Sequence, residues 1–432
     1  MKSPRRNIWS YPVLRLVAYD RCRVAAPWFA WRYARTNAAY LRRLACLIEQ
    51  NHFVNVRSWE RWAAALLYFP LSLVHIVKAM RLHGPRLRFA YSIPLRRQFF
   101  QLVHLAWRHA LRPQVYYYLR LQSQPGRRLA QYLDPAELHH LQRTITTNST
   151  ERIEDKLAFH LAASPAGLPL VPLLAIFDHG RQETPPASAL FVDWEQDLIV
   201  KPTSGYSGSG LRGFRYDHNR YTCVESGNVY TREELAGELS ATSAGQTLIV
   251  QPWLRNHESL ARFSTGALCN FRVVTARNAI GGFEVIMAAL RFPIRSELTC
   301  AEQNVTLCTA VDLVSGKLAA AEAKDPGVGR LDLHPMTGQP IEGFIVDAWP
   351  EIRALALRAH EEFAEFPFIG WDIAHSNLGL VLLEGSTLWG GYLAQMSGSA
   401  PLGASRFASL YLENLHALNS GQRLAEPAEV GL

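Results

Sequence analysis

The sequence predicts an α+β chain behind a basic, mainly helical N-terminal region, and three observations carry that expectation. Residues 1–130 hold 23 lysines and arginines against Asp20, Glu49 and Glu60, a balance of +20, while the rest holds 22 basic and 34 acidic residues, −12; together they give the net +8. Beyond about residue 130 the chain reads as short apolar runs separated by turns, with capped helices between them. The stretch LIVKPTSGYSGSGL, residues 198–211, runs a strand into a lysine, a proline and a loop with Gly205, Gly208 and Gly210. With 432 residues, 48% of them hydrophobic, the chain suits two or three globular domains.

The basic part is arginine-based and aromatic, as in Trp28-Phe-Ala-Trp-Arg-Tyr33 and Tyr116-Tyr-Tyr-Leu-Arg120. Arginine with aromatics suits an anionic lipid surface, a polyanionic substrate or nucleic acid; the plain alternative is a helical domain whose arginines form its solvated face. The near absence of acidic partners favours an anionic surface, and no nucleic-acid module accompanies the charge. The most apolar segment, Trp62 to Val77, is short for a membrane span and contains Pro70 and His75, so it is expected to be a buried or interfacial helix. Arg15, Asp20, Arg21 and Arg23 interrupt any leader-like apolar run, and no signal peptide is evident. The six cysteines lack paired spacing, which points to reduced thiols and a cytoplasmic setting, with the inner membrane face as a further option.

Gln122 to Arg127 reads as a turn or linker. Asp134-Pro-Ala-Glu137 starts a helix with a cap, a proline at the first helical position and a glutamate at the third. Asn148-Ser-Thr-Glu151 starts another, with Ile153, Leu157 and Leu161 on one face and Lys156 off it. Residues 189–192 and 198–200 read as strands, Gly180 to Ala187 as an exposed loop, and Thr231-Arg-Glu-Glu234 as a capping box. Strands follow over 247–254, ending near Pro252, and over 271–275 and 283–290. A helix near 350–364 leads into a hairpin of 369–374 and 380–384 across Ser376-Asn-Leu-Gly379, and the tail from about Asn419 is expected to fray.

In the glycine loop Lys201 precedes the glycines and a strand, Leu211 to Tyr216, follows them, so neither of the helix-opening phosphate loops fits. What remains is a hairpin able to fold over a nucleotide as a flap, against the bland reading of a simple turn. In the last hairpin, a register matching the side-chain faces of Asp372 and Glu384 would join two carboxylates, hard oxygen ligands of the kind that hold magnesium beside phosphates; otherwise each is a strand-end surface acid.

The order Lys156, Lys201 with its flap, Val250-Gln-Pro-Trp-Leu254, Arg272, Asp372 and Glu384 resembles the ATP-grasp superfamily. Ile249 to His257, Asn270 to Thr275, His334-Pro-Met-Thr-Gly338, Ala348 to Glu351 and Ile369 to Ala374 resemble its sugar-transfer-associated branch, over roughly residues 130–410. The resemblance implies an ATP-grasp fold, two α+β subdomains clasping ATP, behind the basic region: 1–130 helical, 131–250 the first subdomain with the flap, 251–418 the second with the carboxylates, 419–432 a tail. It implies that Lys156, Lys201 and the loop residues Gly205, Ser207, Gly208 and Gly210 meet phosphates. By the same likeness Gln251, Pro252, Trp253 and Leu254 line the adenine, with Asn256 and His257 reaching base or ribose; Arg272, with Lys201, serves the transferring phosphoryl group; and Asp372, Glu384 and Ser386 hold Mg2+. The chain departs from the branch at Glu384-Gly-Ser386, where Glu-x-Asn is usual, at Gln251, where Glu is usual, and around Asn304 to Cys308, which lacks glycine.

The implied activity is that of an ADP-forming carboxylate–amine ligase, acting on small-molecule or glycan-linked carboxylate and amine substrates in cell-surface glycan or related biosynthesis. The alternatives are a catalytically weakened ATP-binding scaffold, suggested by Ser386 and the altered Asn304 region, and a polyanion binder driven by the arginines.

Overall fold

The computed structural model describes residues 23–24, 58–123, 129–183, 194–205, 210–264, 266–293, 306–323, 325–396 and 401–420. Contacts divide the chain into two compact units: one of residues 1–145, 322–330 and 390–424, the other of 146–321, 331–389 and 425–432. The first begins, among the described helices, with α1 (Ser58–Tyr91), α2 (Leu95–His109), α3 (Pro113–Tyr118) and α4 (Pro135–Ile145). Helix α1 is 34 residues long and runs through Pro70 and Pro85, so the apolar segment at 62–77 is helical but forms only part of a longer helix. Its inward face packs Tyr68, Ile76 and Leu87, and the Tyr68 hydroxyl donates to the Ala106 carbonyl at 2.6 Å. The Trp107 indole donates to Ser72 Oγ at 2.9 Å, and the Gln98 amide to the Gly84 carbonyl at 3.1 Å, so α2 is pinned along α1. Gly84 permits this approach: a Cβ there would lie 2.8 Å from a Leu95 methyl. Helix α4 starts as its sequence requires, with Asp134 Oδ1 accepting from the Ala136 amide and the Asp134 amide donating to Glu137.

The second unit opens with α5 (Glu151–Glu154) and α6 (Lys156–Ala163). The sequence suggested one helix here, but the chain breaks at Asp155, whose backbone is extended and whose carboxylate accepts from the amides of Leu157 and Ala158. A new N-cap is thereby built inside the apolar row, and Leu161 turns outward, 46% exposed.

The first sheet contains β1 (Ala175–Asp178), β2 (Arg181–Glu183), β3 (Leu198–Pro202), β4 (Arg212–Asp217), β5 (Arg220–Cys223), β6 (Val229–Tyr230) and β7 (Leu248–Pro252), in the order β2-β1-β7-β3-β4-β5-β6. Strand β3 alternates: Leu198 and Val200 enter a core with Phe177, Phe214 and Leu235, while Ile199 and Lys201 face the other way. Helix α7 (Arg232–Ser243) supplies Leu235 and Leu239 to that core and begins with the full capping box of Thr231 and Glu234. The opposite face packs Leu173, Ile176 and Ile249 against Leu157 of α6. The strand expected at 189–192 lies outside the described residues.

A short helix, α8 (Glu258–Ala261), precedes the second sheet. That sheet contains β8 (Asn270–Arg277), β9 (Phe283–Pro293), β10 (Thr306–Ala310), β11 (Ala321–Ala323), β12 (Arg330–Leu331), β13 (Phe368–Ser376) and β14 (Gly379–Ser386), in the order β12-β11-β10-β9-β8-β13-β14. Helix α9 (Trp349–Glu362) buries Ile352, Leu355 and Ala359. Strand β13 is buried along nearly its whole length, which explains its unbroken apolar reading apart from Asp372. Its Trp371 packs against Phe159 of α6 and against Phe363, so α6 lies between the two sheets with Leu157 on one and Phe159 on the other. The chain then returns to the helical unit through α10 (Gly391–Met396) and α11 (Phe407–Asn419); Tyr411 donates to the Leu141 carbonyl at 3.0 Å.

Candidate functional site

Three strands of the second sheet align polar side chains on the face opposite Trp371. The register pairs Arg272 of β8 with Asp372 of β13, and Asp372 with Glu384 of β14, giving one row of arginine, aspartate and glutamate. A tight turn pairing Ser376 with Gly379 would, in a regular hairpin, set Leu383 opposite Asp372. The register instead slips between Asp372 and Ile373, and the extra residue delivers Glu384 there. Gly385 is then pressed against the core: a Cβ would lie 2.8 Å from both Ile153 and Trp371, so only glycine fits in Glu384-Gly-Ser386.

Asp372 is 4% exposed and fully engaged. Arg272 donates from Nε to Oδ1 and from Nη2 to Oδ2, the latter at 3.1 Å, and Arg291 of β9 donates to Oδ2 at 2.5 Å. Burial alone would favour the neutral acid, but the two guanidinium groups overcome it and hold the carboxyl well below the usual range. Arg291 is oriented by a 2.7 Å bond from Nε to Asn270 Oδ1. Glu384, half-buried, has no hydrogen bond or ion pair among the described residues.

The lysines arrive from the other side. Lys201, off the core face of β3, is pushed down to about 8, mainly by burial; Glu384 opposes that shift and Lys156 adds to it. Lys201 therefore feels the charges of both Glu384 and Lys156. Lys156 heads α6; its amide donates to the Thr203 carbonyl at 2.9 Å, and its ammonium donates to the carbonyls of Thr203 and Gly205 at 3.4 and 3.3 Å. His160, one turn on, is driven down to about 4 by burial and by the charge of Lys201, so it stands as neutral imidazole beside the lysines. The flap hairpin pairs Leu198 with Phe214 and Val200 with Arg212. Gly205 and Gly210 have φ of 123° and 76°, and a Cβ on Gly210 would strike Pro202 at 2.8 Å. Ser207 and Gly208 lie outside the described residues.

The segment after β7 is differently employed. Gln251 is buried, with its amide nitrogen donating to the Val171 carbonyl at 3.1 Å. Pro252 ends the strand, and Leu254 packs with Val171, Ala374 and Val381. The Trp253 amide donates to the Asp197 carbonyl, and the Arg215 guanidinium sits 3.9 Å above the Trp253 ring. Asn256 spends both polar atoms on Ala267 and Cys269. His257 caps α8 by accepting from the Ser259 amide, and its ring stacks on His375 at 3.9 Å. Ser386 Oγ accepts from the Leu388 amide at 3.2 Å. Register therefore joins Arg272, Asp372 and Glu384, and electrostatics tie Lys201 to Glu384 and Lys156, whereas the side chains of Gln251, Asn256 and His257 brace the polypeptide.

Arg291 and His160 join the cluster without having been singled out from sequence. His160 stands four residues after Lys156, a helical spacing that could have revealed it, whereas Arg291 reaches Asp372 only through the β8–β9 register. For a divalent cation, Glu384 is an unpaired carboxylate beside Asp372, whose oxygens already face two arginines. Among the described residues no group of three His, Cys, Asp or Glu side chains is placed to hold a metal. That donor set fits magnesium held largely by phosphate and water oxygens, not an all-protein cage.

Two antiparallel sheets with a glycine hairpin on one and a carboxylate hairpin on the other make this an α+β ATP-grasp fold behind a helical N-terminal region. Residues 139–406 match the family described as sugar-transfer associated ATP-grasp, and the chain belongs to that family. No curated protein matches by sequence. Among solved structures, the chain is similar to the VanG D-Ala:D-Ser ligase of Enterococcus faecalis, at 13% identity and TM-score 0.35, over 61% of each chain. It is also similar to the D-alanine-D-alanine ligase of Coxiella burnetii, at 12% identity and TM-score 0.35, over 65% of this chain and 62% of that one. A third is the biotin carboxylase of Campylobacter jejuni, at 12% identity and TM-score 0.36, over 61% of this chain and 47% of that one. The match thus spans less than two thirds of the length of each.

Proposed function

We propose that the chain is an ATP-dependent ligase that activates a carboxylate as an acyl phosphate and passes the acyl group to an amine or similar nucleophile. Family membership supports this reading, and so does one observation above all: Lys201, a poorly solvated cation, stands near Lys156 and Glu384. Phosphoryl transfer asks the protein for positioning and charge placement more than for covalent chemistry, and these residue types supply both. A carboxylate oxygen of the substrate attacks the γ-phosphorus, the bond to the bridging oxygen breaks, and ADP leaves. The amine nitrogen then attacks the acyl carbon, phosphate leaves with the C–O bonding pair, and the nitrogen loses its proton.

Lys156 and Lys201 would bind phosphate oxygens, while Glu384, with Asp372 beside it, would hold magnesium. Bound magnesium would neutralise phosphate charge. Arg272, fixed against Asp372, would stabilise charge on the transferring group. The backbone of Gln251 to Leu254 would line the base. The family description suggests a sugar-linked carboxylate or amine in glycan biosynthesis as the substrate class.

Release of ADP and phosphate from Mg-ATP across panels of acids and amines tests the reading. Turnover that needs both an acid and a nucleophile is expected. Nucleotide binding with no turnover on any pair would favour the scaffold reading, to which Ser386 lends support because its side chain is shorter than the asparagine usual there.

A further inference from the structure

Helix α1 turns an apolar face to solvent. Trp59, Trp62, Leu66, Leu73 and Val77 recur at helical spacing along one stripe, and the first three are 58%, 67% and 71% exposed. Val74 flanks the stripe at 62%, and the row spans about 27 Å at ~1.5 Å per residue. Soluble proteins seldom leave so much contiguous apolar surface uncovered without a partner for it.

Charge identifies the partner. The same helical face continues C-terminally through Arg81 and Arg88, and residues 58–123 contain ten lysines and arginines against Glu60 alone. Lys78, Arg81, Arg88, Arg96, Arg97 and Arg108 have no ion pair among the described residues. Two tryptophans and leucines beside unpaired cations match the boundary between acyl chains and acidic headgroups. By length and composition alone α1 could cross a membrane. Its other flank, however, is tied to α2 by the Tyr68, Ser72 and Gly84 hydrogen bonds, and α2 carries Arg96, Arg97 and Arg108. A helix so fastened lies along a surface.

We propose that the helical unit docks on an anionic lipid bilayer, with the stripe from Trp59 to Val77 embedded in the interface and Arg81 and Arg88 on acidic headgroups. The docking is independent of the ligase reading and would place the protein at the inner face of a membrane.

The test is co-sedimentation of the full chain with vesicles of phosphatidylcholine alone or with about a third phosphatidylglycerol, at low salt and at about 0.5 M salt. Partitioning at least tenfold stronger on the anionic vesicles, and weakened by salt, is expected. The double variant Trp62→Ser/Leu66→Ser should lose most of that binding with its unfolding midpoint unchanged, since both side chains are exposed. Arg81→Glu/Arg88→Glu should weaken binding at least tenfold at low salt. Equal binding to neutral and anionic vesicles, or binding that survives both double variants, would overturn the proposal. So would retention in the vesicles through an alkaline wash, the mark of a spanning helix, or light scattering that shows a dimer abolished by Trp62→Ser/Leu66→Ser, the mark of a second copy on the stripe.

Discussion

Replacing Lys201 with methionine should make the fold more stable while destroying nucleotide binding. Burial, opposed by Glu384 and reinforced by Lys156, takes Lys201 from 10.5 to about 8. A lysine with a lower pKa in the folded chain holds its proton more weakly there than when unfolded. The penalty on folding is therefore full below about pH 8, declines between about 8 and 10.5, and is gone above. At ~1.36 kcal/mol per unit the shift amounts to about 3 kcal/mol at neutral pH. Residual exposure of the side chain reduces this to about 2 kcal/mol. Lys201→Met, of similar length and without charge, removes that penalty. Its thermal midpoint should rise by roughly 4 °C at pH 7 and hardly change near pH 10.5. Circular dichroism melts of both proteins at the two pH values decide the matter. A variant that melts below wild type at pH 7, or whose gain is the same at both pH values, would show that Lys201 is not a desolvated cation facing the site.

Nucleotide phosphates brought beside Lys201 should restore its proton affinity, so ATP binding near pH 8.5 should take up about three quarters of a proton, seen as a binding enthalpy that varies with buffer ionisation heat. The two carboxylates should separate by stability. Asp372→Asn removes the buried carboxylate that both Arg272 and Arg291 grip and should lower stability by about 3 kcal/mol, whereas Glu384→Gln, which loses only its attraction for Lys201, should cost about 1 kcal/mol or less. Denaturant titrations give the stabilities, and both variants should lose ATP turnover.

Much of this was legible in residue patterns that act locally. The cap of Asp134 with Pro135 and Glu137 fixed α4, the Thr231 box fixed α7, and the alternation after Leu198 set Lys201 off the core face of β3. Hidden features depended on register or on competition between local signals. A hairpin turning at Ser376 to Gly379 would pair Asp372 with Leu383 if regular, and nothing in the sequence reveals the slip that substitutes Glu384. Asp155 looks like a solvent-facing helical residue, yet it caps a new helix, because two backbone amides outweigh one lost helical turn. Arg291 reaches Asp372 only through pairing that spans some eighty residues. Asn256 and His257 had the chemistry to touch a nucleotide, but their neighbours occupy them first.

The grip of Lys156 on the carbonyls of Thr203 and Gly205 carries one more implication under the ligase reading. Neutral carbonyls are weaker acceptors than phosphate oxygens, so an incoming nucleotide would draw the ammonium away from them. The nucleotide would thereby release a tie at the root of the glycine hairpin, so that binding of the guest and local loosening of the backbone share a single side chain.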